Sequence, residues 1–142
     1  MNIANFTKRI WAYIIDFVLT ALLPAATLVL LYVFVPQIND VPVYFIVFGM
    51  IFVHWLIYFL LVGFYTFITN GRTVGNLIFG LRIIHPNIKR LSFGDSFARS
   101  AAQGLFILPI ISLLYITIAH TEKSVFDRMT NTIVVDWRNK NI

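Results

Sequence analysis

Along this chain, hydrophobic positions do not alternate with polar ones; they run together in long blocks separated by short polar segments. The first block extends from Ile10 to Val35 and the second from Val43 to Ile68, each longer than the roughly 20 apolar residues a helix needs to cross a hydrocarbon core. Both are predicted to be transmembrane helices. Trp11, Tyr13 and Tyr32 lie near the ends of the first, where amphipathic rings suit the headgroup level, and Pro24 marks a point at which it can kink. The link from Pro36 to Pro42 holds Asn39 and Asp40 between two prolines and reads as a tight extramembrane turn.

A third apolar stretch, Ser100 to Ala119, only just reaches across the core at about 1.5 Å per residue, and Pro109 interrupts it. It reads either as a single span or as a re-entrant hairpin broken at Leu108-Pro109. Between the second and third stretches, residues 70–99 form an extramembrane connection. Within it, Val74, Leu77, Ile78 and Leu81 fall at i, i+3, i+4 and i+7, the pattern of a short helix lying in the interface plane. Pro86-Asn87 reads as a turn, and Ser92 as the N-cap of a helix beginning near Phe93. Leu81 to Ile84 and Thr132 to Val135 are rich in β-branched residues; they can pair as strands only if both lie on one side of the membrane, and helix packing or isolated coil accounts for them equally.

Composition agrees with one all-α, polytopic helical membrane domain over residues 1–142. Hydrophobic residues make up 59% of the chain and charged ones 12%, against roughly 25% charged in a soluble domain. A cleavable signal is a poor reading of the first block, which is too long for an h-region of about 7–15 residues and contains Asp16. The net charge of +5 invites a nucleic-acid partner, yet the Lys and Arg residues flank the hydrophobic blocks and build no basic face with stacking aromatics. Membrane lipid, anionic lipid above all, is the expected partner.

Those same cations set the expected orientation in a cell membrane. Lys8 and Arg9 precede the first span, Arg72, Arg82, Lys89, Arg90 and Arg99 follow the second, and the loop between the spans has none, so the N-terminus is expected to be cytoplasmic. Lys123, Arg128, Arg138 and Lys140 pull the tail to that side too, which a third full span opposes and a hairpin permits.

The candidate chemistry sits inside the first block. A carboxylate near the bilayer centre costs a few kcal/mol and normally faces a protein or water-filled interior. Arg9, Tyr13, Asp16 and Thr20 fall at i, i+4, i+7 and i+11, placing a cation, a phenol, a carboxylate and a hydroxyl on one helical stripe. Asp16 therefore reads either as a proton or cation site or as one half of a fixed ion pair with Arg9, Arg82 or Arg99. His54, about 16 Å into the second span, reads as a proton relay or as a hydrogen-bonded packing residue. Asp127-Arg128 reads as a gate on the cytoplasmic side or as a helix cap and surface pair. His85 and His120 lack ligand-spaced partners, so no metal is expected, and the chain has no cysteine. Gly71, Gly75 and Gly80 are not followed by the Lys-Ser/Thr of a P-loop and are assigned to sharp turns or close helix approach. No catalytic signature appears, so neither an enzyme nor a cofactor is expected.

Taken together, four segments resemble the RDD family of small integral membrane proteins. Arg9-Ile10-Trp11-Ala12-Tyr13-Ile14-Ile15-Asp16 is similar to its R-x-x-A-x-x-I-D signature, and Gly71-Arg72-Thr73-Val74-Gly75-Asn76 with Gly80-Leu81-Arg82-Ile83-Ile84 to its G-x-T-x-G-K and G-L-R-V-V segment. Leu91-Ser92-Phe93-Gly94 with Arg99 resembles the sequence that follows, and Phe126-Asp127-Arg128-Met129-Thr130-Asn131-Thr132-Ile133-Val134-Val135 the closing H-D-R-L-A-G-T-x-V-V. Asn76, Phe126 and Asn131 depart from the usual Lys, His and Gly. The resemblance implies transport, with exchange of a monovalent cation such as Na⁺ for protons as the most concrete activity. Asp16 is then the carrier, Arg9 tunes it and Asp127 is a second acidic site. A helical domain this small encloses little volume, so a homo-oligomer is expected to build any pathway. The alternative is a non-transporting scaffold or accessory subunit whose Arg and Asp residues fix helix packing.

Overall fold

The structure, a computed structural model, describes residues 2–87, 90–105, 107–119 and 123–138. Lys89, His120 and Lys140 lie outside them. Its elements are β1 (Asn2–Ile3), α1 (Phe6–Phe34), α2 (Val43–Ile68), α3 (Val74–Phe79), β2 (Leu81–Ile84), α4 (Phe93–Gly104), α5 (Ile107–Ala119), α6 (Val125–Met129) and β3 (Ile133–Asp136). Helix α1 begins earlier than the hydrophobic block because Asn5 caps it, its Oδ1 accepting from Thr7 N at 2.9 Å. The linker forms a 3₁₀ turn over Pro36–Asp40.

The two long helices are inside out relative to a soluble protein. The buried residues of α1 are Ala12, Asp16, Thr20 and Pro24, one per turn, whereas Leu22, Val29 and Phe34 are exposed. On α2 the same holds: His54, Tyr58, Val62 and Thr66 are buried, and Phe45, Phe48 and Phe52 are not. Small and polar residues facing in, with large apolar residues facing out, is stable only where the surroundings are lipid. Both helices are long and apolar enough to cross a membrane.

Helix α2 carries a π-helical turn at Tyr58–Val62, and α4 packs across it. Widening the turn loosens the backbone ladder. The Phe59 carbonyl there accepts from Ser100 Oγ at 3.1 Å, while Trp55 Nε1 donates to the Ala101 carbonyl at 2.9 Å.

Three of the expectations change in detail. The interfacial helix α3 stops at Phe79 instead of running through Leu81, because Gly80 takes a left-handed conformation (φ 67°) and turns the chain into β2. Ser100 to Ala119 is not one helix: the chain bends by 100° between Phe93–Gly104 and Leu108–Ile116. That bend begins at the extended Leu105, upstream of Leu108-Pro109, and Pro109 sits in the first turn of α5, where its missing N–H removes no helical bond. Ser92 caps α4 as read, accepting from Asp95 N at 3.0 Å.

The third change is a small antiparallel sheet, order β1-β3-β2, added to the helical body. Leu81 pairs with Asp136 and Ile84 with Ile133, and on the other edge Ile3 pairs with Val135. Beneath it lie Ala4, Ala12, Leu81, Ile83, Leu91 and Val134. Because β1 precedes α1, β2 follows α2, and β3 bonds to both, the chain start, the α2–α4 connection and the C-terminal strand occupy the same end of the helix pair.

Candidate functional site

Asp127 stands at the start of α6, in a capping box with Ser124: Ser124 Oγ accepts from Asp127 N at 3.1 Å, and Asp127 Oδ2 accepts from Ser124 N at 2.9 Å. Two guanidiniums meet it from other helices. Arg99 of α4 donates to Oδ1 at 2.6 Å, and Arg9 of α1 to Oδ2 at 3.1 Å. Arg99 also donates to Thr132 Oγ1 at 2.8 Å, and Arg9 to the Val134 carbonyl at 3.3 Å. One fully buried carboxylate thus ties α1, α4, α6 and the approach to β3 together. Burial pushes its pKa up, but the Arg99 and Arg9 charges and the Ser124 N–H outweigh that and hold it below the usual carboxylate range.

Asp16 is arranged differently. It is buried, its Oδ1 accepts from Gly75 N at 2.8 Å, and the Thr73 side chain hydrogen-bonds it as well. Gly75 makes that approach possible: a Cβ there would stand 2.0 Å from the Ala12 carbonyl oxygen, so only glycine lets α3 lie this close to α1. Among the described residues no Lys, Arg or His side chain comes within ion-pair distance of Asp16. Arg9, read as its tuning partner, is committed to Asp127.

A cavity of about 90 Å³ joins the two acids' surroundings. Asp16, Thr73 and Asn76 line one end and Arg9 and Arg99 the other, with Tyr13 between them, its hydroxyl donating to the Gln103 carbonyl at 3.2 Å. It is roomy enough for a few waters or a small ion. His54 lies outside its wall, with its ring edge-on to Phe17 at 4.5 Å between centroids.

The remaining sequence-predicted residues surround this site without entering it. Arg72 lies over the Trp137 ring at 4.4 Å, Arg128 over Tyr115 at 5.0 Å, and Arg82 Nε donates to the Asn70 carbonyl at 2.9 Å. Gly71, also left-handed (φ 88°), packs against the Ile83 carbonyl. The RDD family profile matches residues 3–131, which contain the first three RDD-like segments in order and the Phe126–Asn131 part of the fourth. The chain belongs to the RDD family. No curated protein and no solved structure matches it.

Family membership and the two apolar spans make this an integral membrane protein. Two departures from the RDD pattern now have a structural context. Asn76 stands on the cavity wall at the position where the pattern has lysine, so a neutral amide replaces an ammonium in the chamber that holds Asp16. Asn131 replaces glycine at a left-handed position (φ 47°), which asparagine tolerates better than most residues. The reading of the RDD sequence missed Thr73, Ser112, Ser124 and Thr132. Ser124-x-x-Asp127 was visible as a capping box, but the roles of the other three depend on folding.

Proposed function

We propose that this RDD protein exchanges a monovalent cation such as Na⁺ for protons, with Asp16 as the carrier carboxylate. The observation that carries the reading is that Asp16 is buried on a cavity, with hydrogen-bond donors but, among the described residues, no cationic partner. A carboxylate in that position gains most from being neutralised, and a proton or a small hard cation does this equally well. Thr73 and Asn76 add the oxygen donors such a cation prefers. Binding of one species then displaces the other, which is the elementary step of exchange.

In this reading the protein is multi-pass in the cell membrane, with its basic N-terminal, connecting and C-terminal segments cytoplasmic. His54, on α2 near the Asp16 face, passes protons further into the membrane, and a homo-oligomer completes the pathway. The Arg9–Asp127–Arg99 cluster favours a second reading, a scaffold whose charged residues only fix packing.

Proteoliposomes separate the two. Under Na⁺ or K⁺ pulses, wild type is expected to produce a pH change absent without cation; Asp16→Asn is expected to be folded and silent, and Asp16→Glu to retain partial activity. Absence of flux from folded wild type with every ion, or full flux from Asp16→Asn, would overturn the exchange reading.

A further inference from the structure

Helix α3 carries a surface that the Asp16 cavity does not use. Gly75 packs it against Ala12 and donates to Asp16, so α3 lies beside the first turns of α1, where exposed Trp11 marks the headgroup level. Val74 and Ile78, four residues apart and so on one helical face, are both exposed. An apolar face turned outward at this depth meets lipid.

Two arginines flank that face. Arg72, just before α3, lies over the Trp137 ring, 4.4 Å from its centroid, and its Nε–H is buried without a hydrogen-bond partner among the described residues. Trp137 N donates to the Gly80 carbonyl at 3.0 Å, which holds the ring beside the end of α3. The stem of Arg138 lies against Gly80, where a Cβ would collide with it, and one Nη donates to the Leu77 carbonyl at 3.3 Å. Among the described residues neither arginine has a carboxylate within ion-pair distance; Asp136, the nearest in sequence to Arg138, is paired with Lys8 at 2.5 Å.

We propose that this flank of α3 binds an anionic phospholipid, its phosphate between Arg72 and Arg138 and an acyl chain over Val74 and Ile78. Each guanidinium has five N–H donors in a fork that matches phosphate oxygens bidentately, and Arg138 uses only one of them on Leu77. The Trp137 ring already positions the head of Arg72, so less side-chain freedom is lost on binding. A zwitterionic choline headgroup brings a cation toward two guanidiniums and is disfavoured. A soluble phosphate gains nothing from Val74 and Ile78, which is why the occupant is a lipid. No side chain of this site belongs to the Asp16 set, so the inference and the exchange reading fail separately.

Native mass spectrometry of the full chain in detergent tests the site, because it counts the lipids bound to each variant. Wild type is expected to retain one palmitoyl-oleoyl phosphatidylglycerol at concentrations where phosphatidylcholine with the same chains leaves none. Arg72→Ala and Arg138→Ala are each expected to weaken that lipid roughly fivefold, the effect of one basic side chain at an anionic surface. Arg72→Lys, which keeps the charge and loses the fork, is expected to fall between Arg72→Ala and wild type. Arg128, which lies over Tyr115 at 5.0 Å, gives the control, and Arg128→Ala should bind as wild type does. The lipid site is wrong if wild type retains no phosphatidylglycerol, or if phosphatidylcholine binds as tightly. It is equally wrong if the Arg72 and Arg138 variants match Arg128→Ala, or if inorganic phosphate at equal concentration displaces the lipid.

Discussion

Asp127→Ala is expected to destabilise the protein by about 3–5 kcal/mol, the cost of leaving buried charges without their partner. Two guanidiniums lose their shared carboxylate at once, Arg99 almost wholly buried and Arg9 largely so. The Ser124 capping box disappears with it, and a lost cap contributes on the order of 1 kcal/mol. Thermal unfolding in detergent measures the sum. A fall in Tm no larger than that of Ser124→Ala would mean that the ion pairs add little beyond the cap.

The same carboxylate predicts a pH dependence, with a definite sign. Its folded pKa is held below the unfolded value of about 3.9, so its stabilisation is fully present above that value. It is lost as pH falls through the depressed folded value. Stability should thus fall steeply below about pH 4, and Asp127→Asn should have a flatter acid limb.

Gly75→Ala is expected to cost roughly 3 kcal/mol or more, although alanine is the better helix former by about 1 kcal/mol. The new Cβ would lie 2.0 Å from the Ala12 carbonyl oxygen, which is backbone and cannot move aside alone. Helix α3 must therefore back away from α1, stretching the 2.8 Å bond from Gly75 N to Asp16 and leaving a buried carboxylate short of a donor. Gly49→Ala is the control: nothing lies within 4 Å of its Cβ position, so Tm should stay level or rise slightly. Equal Tm for the two variants would remove the close approach of α3 and α1 from the account of Asp16.

What the chain states locally is legible without a structure. Two hydrophobic blocks exceed the membrane thickness, Asp16 interrupts the first, cations flank both, and Ser92 announces a helix start; each is a property of neighbours in sequence. Glycines 71, 75 and 80 are legible only as places where something unusual happens. Pro109 is legible as a break but misplaces it, because a proline in the first turn of a helix obstructs nothing and the bend falls to the preceding extended residue, Leu105.

Tertiary structure decided who meets whom. Arg9 and Asp16 share a helical stripe, and spacing alone offers them as a pair. Yet Arg9 turns to Asp127, far along the chain, once β3 lies between β1 and β2 and brings α6 to the end of α1. Asp16 receives backbone and hydroxyl donors from α3 instead, because Gly75 removes the side chain that would keep the helices apart. Periodicity records which residues face inward; it carries no information on which distant charge arrives opposite them, since that depends on loop closure and strand register. The fold thereby sets a compensated acid, Asp127, apart from an uncompensated one, Asp16, a difference that two aspartates in a sequence cannot express.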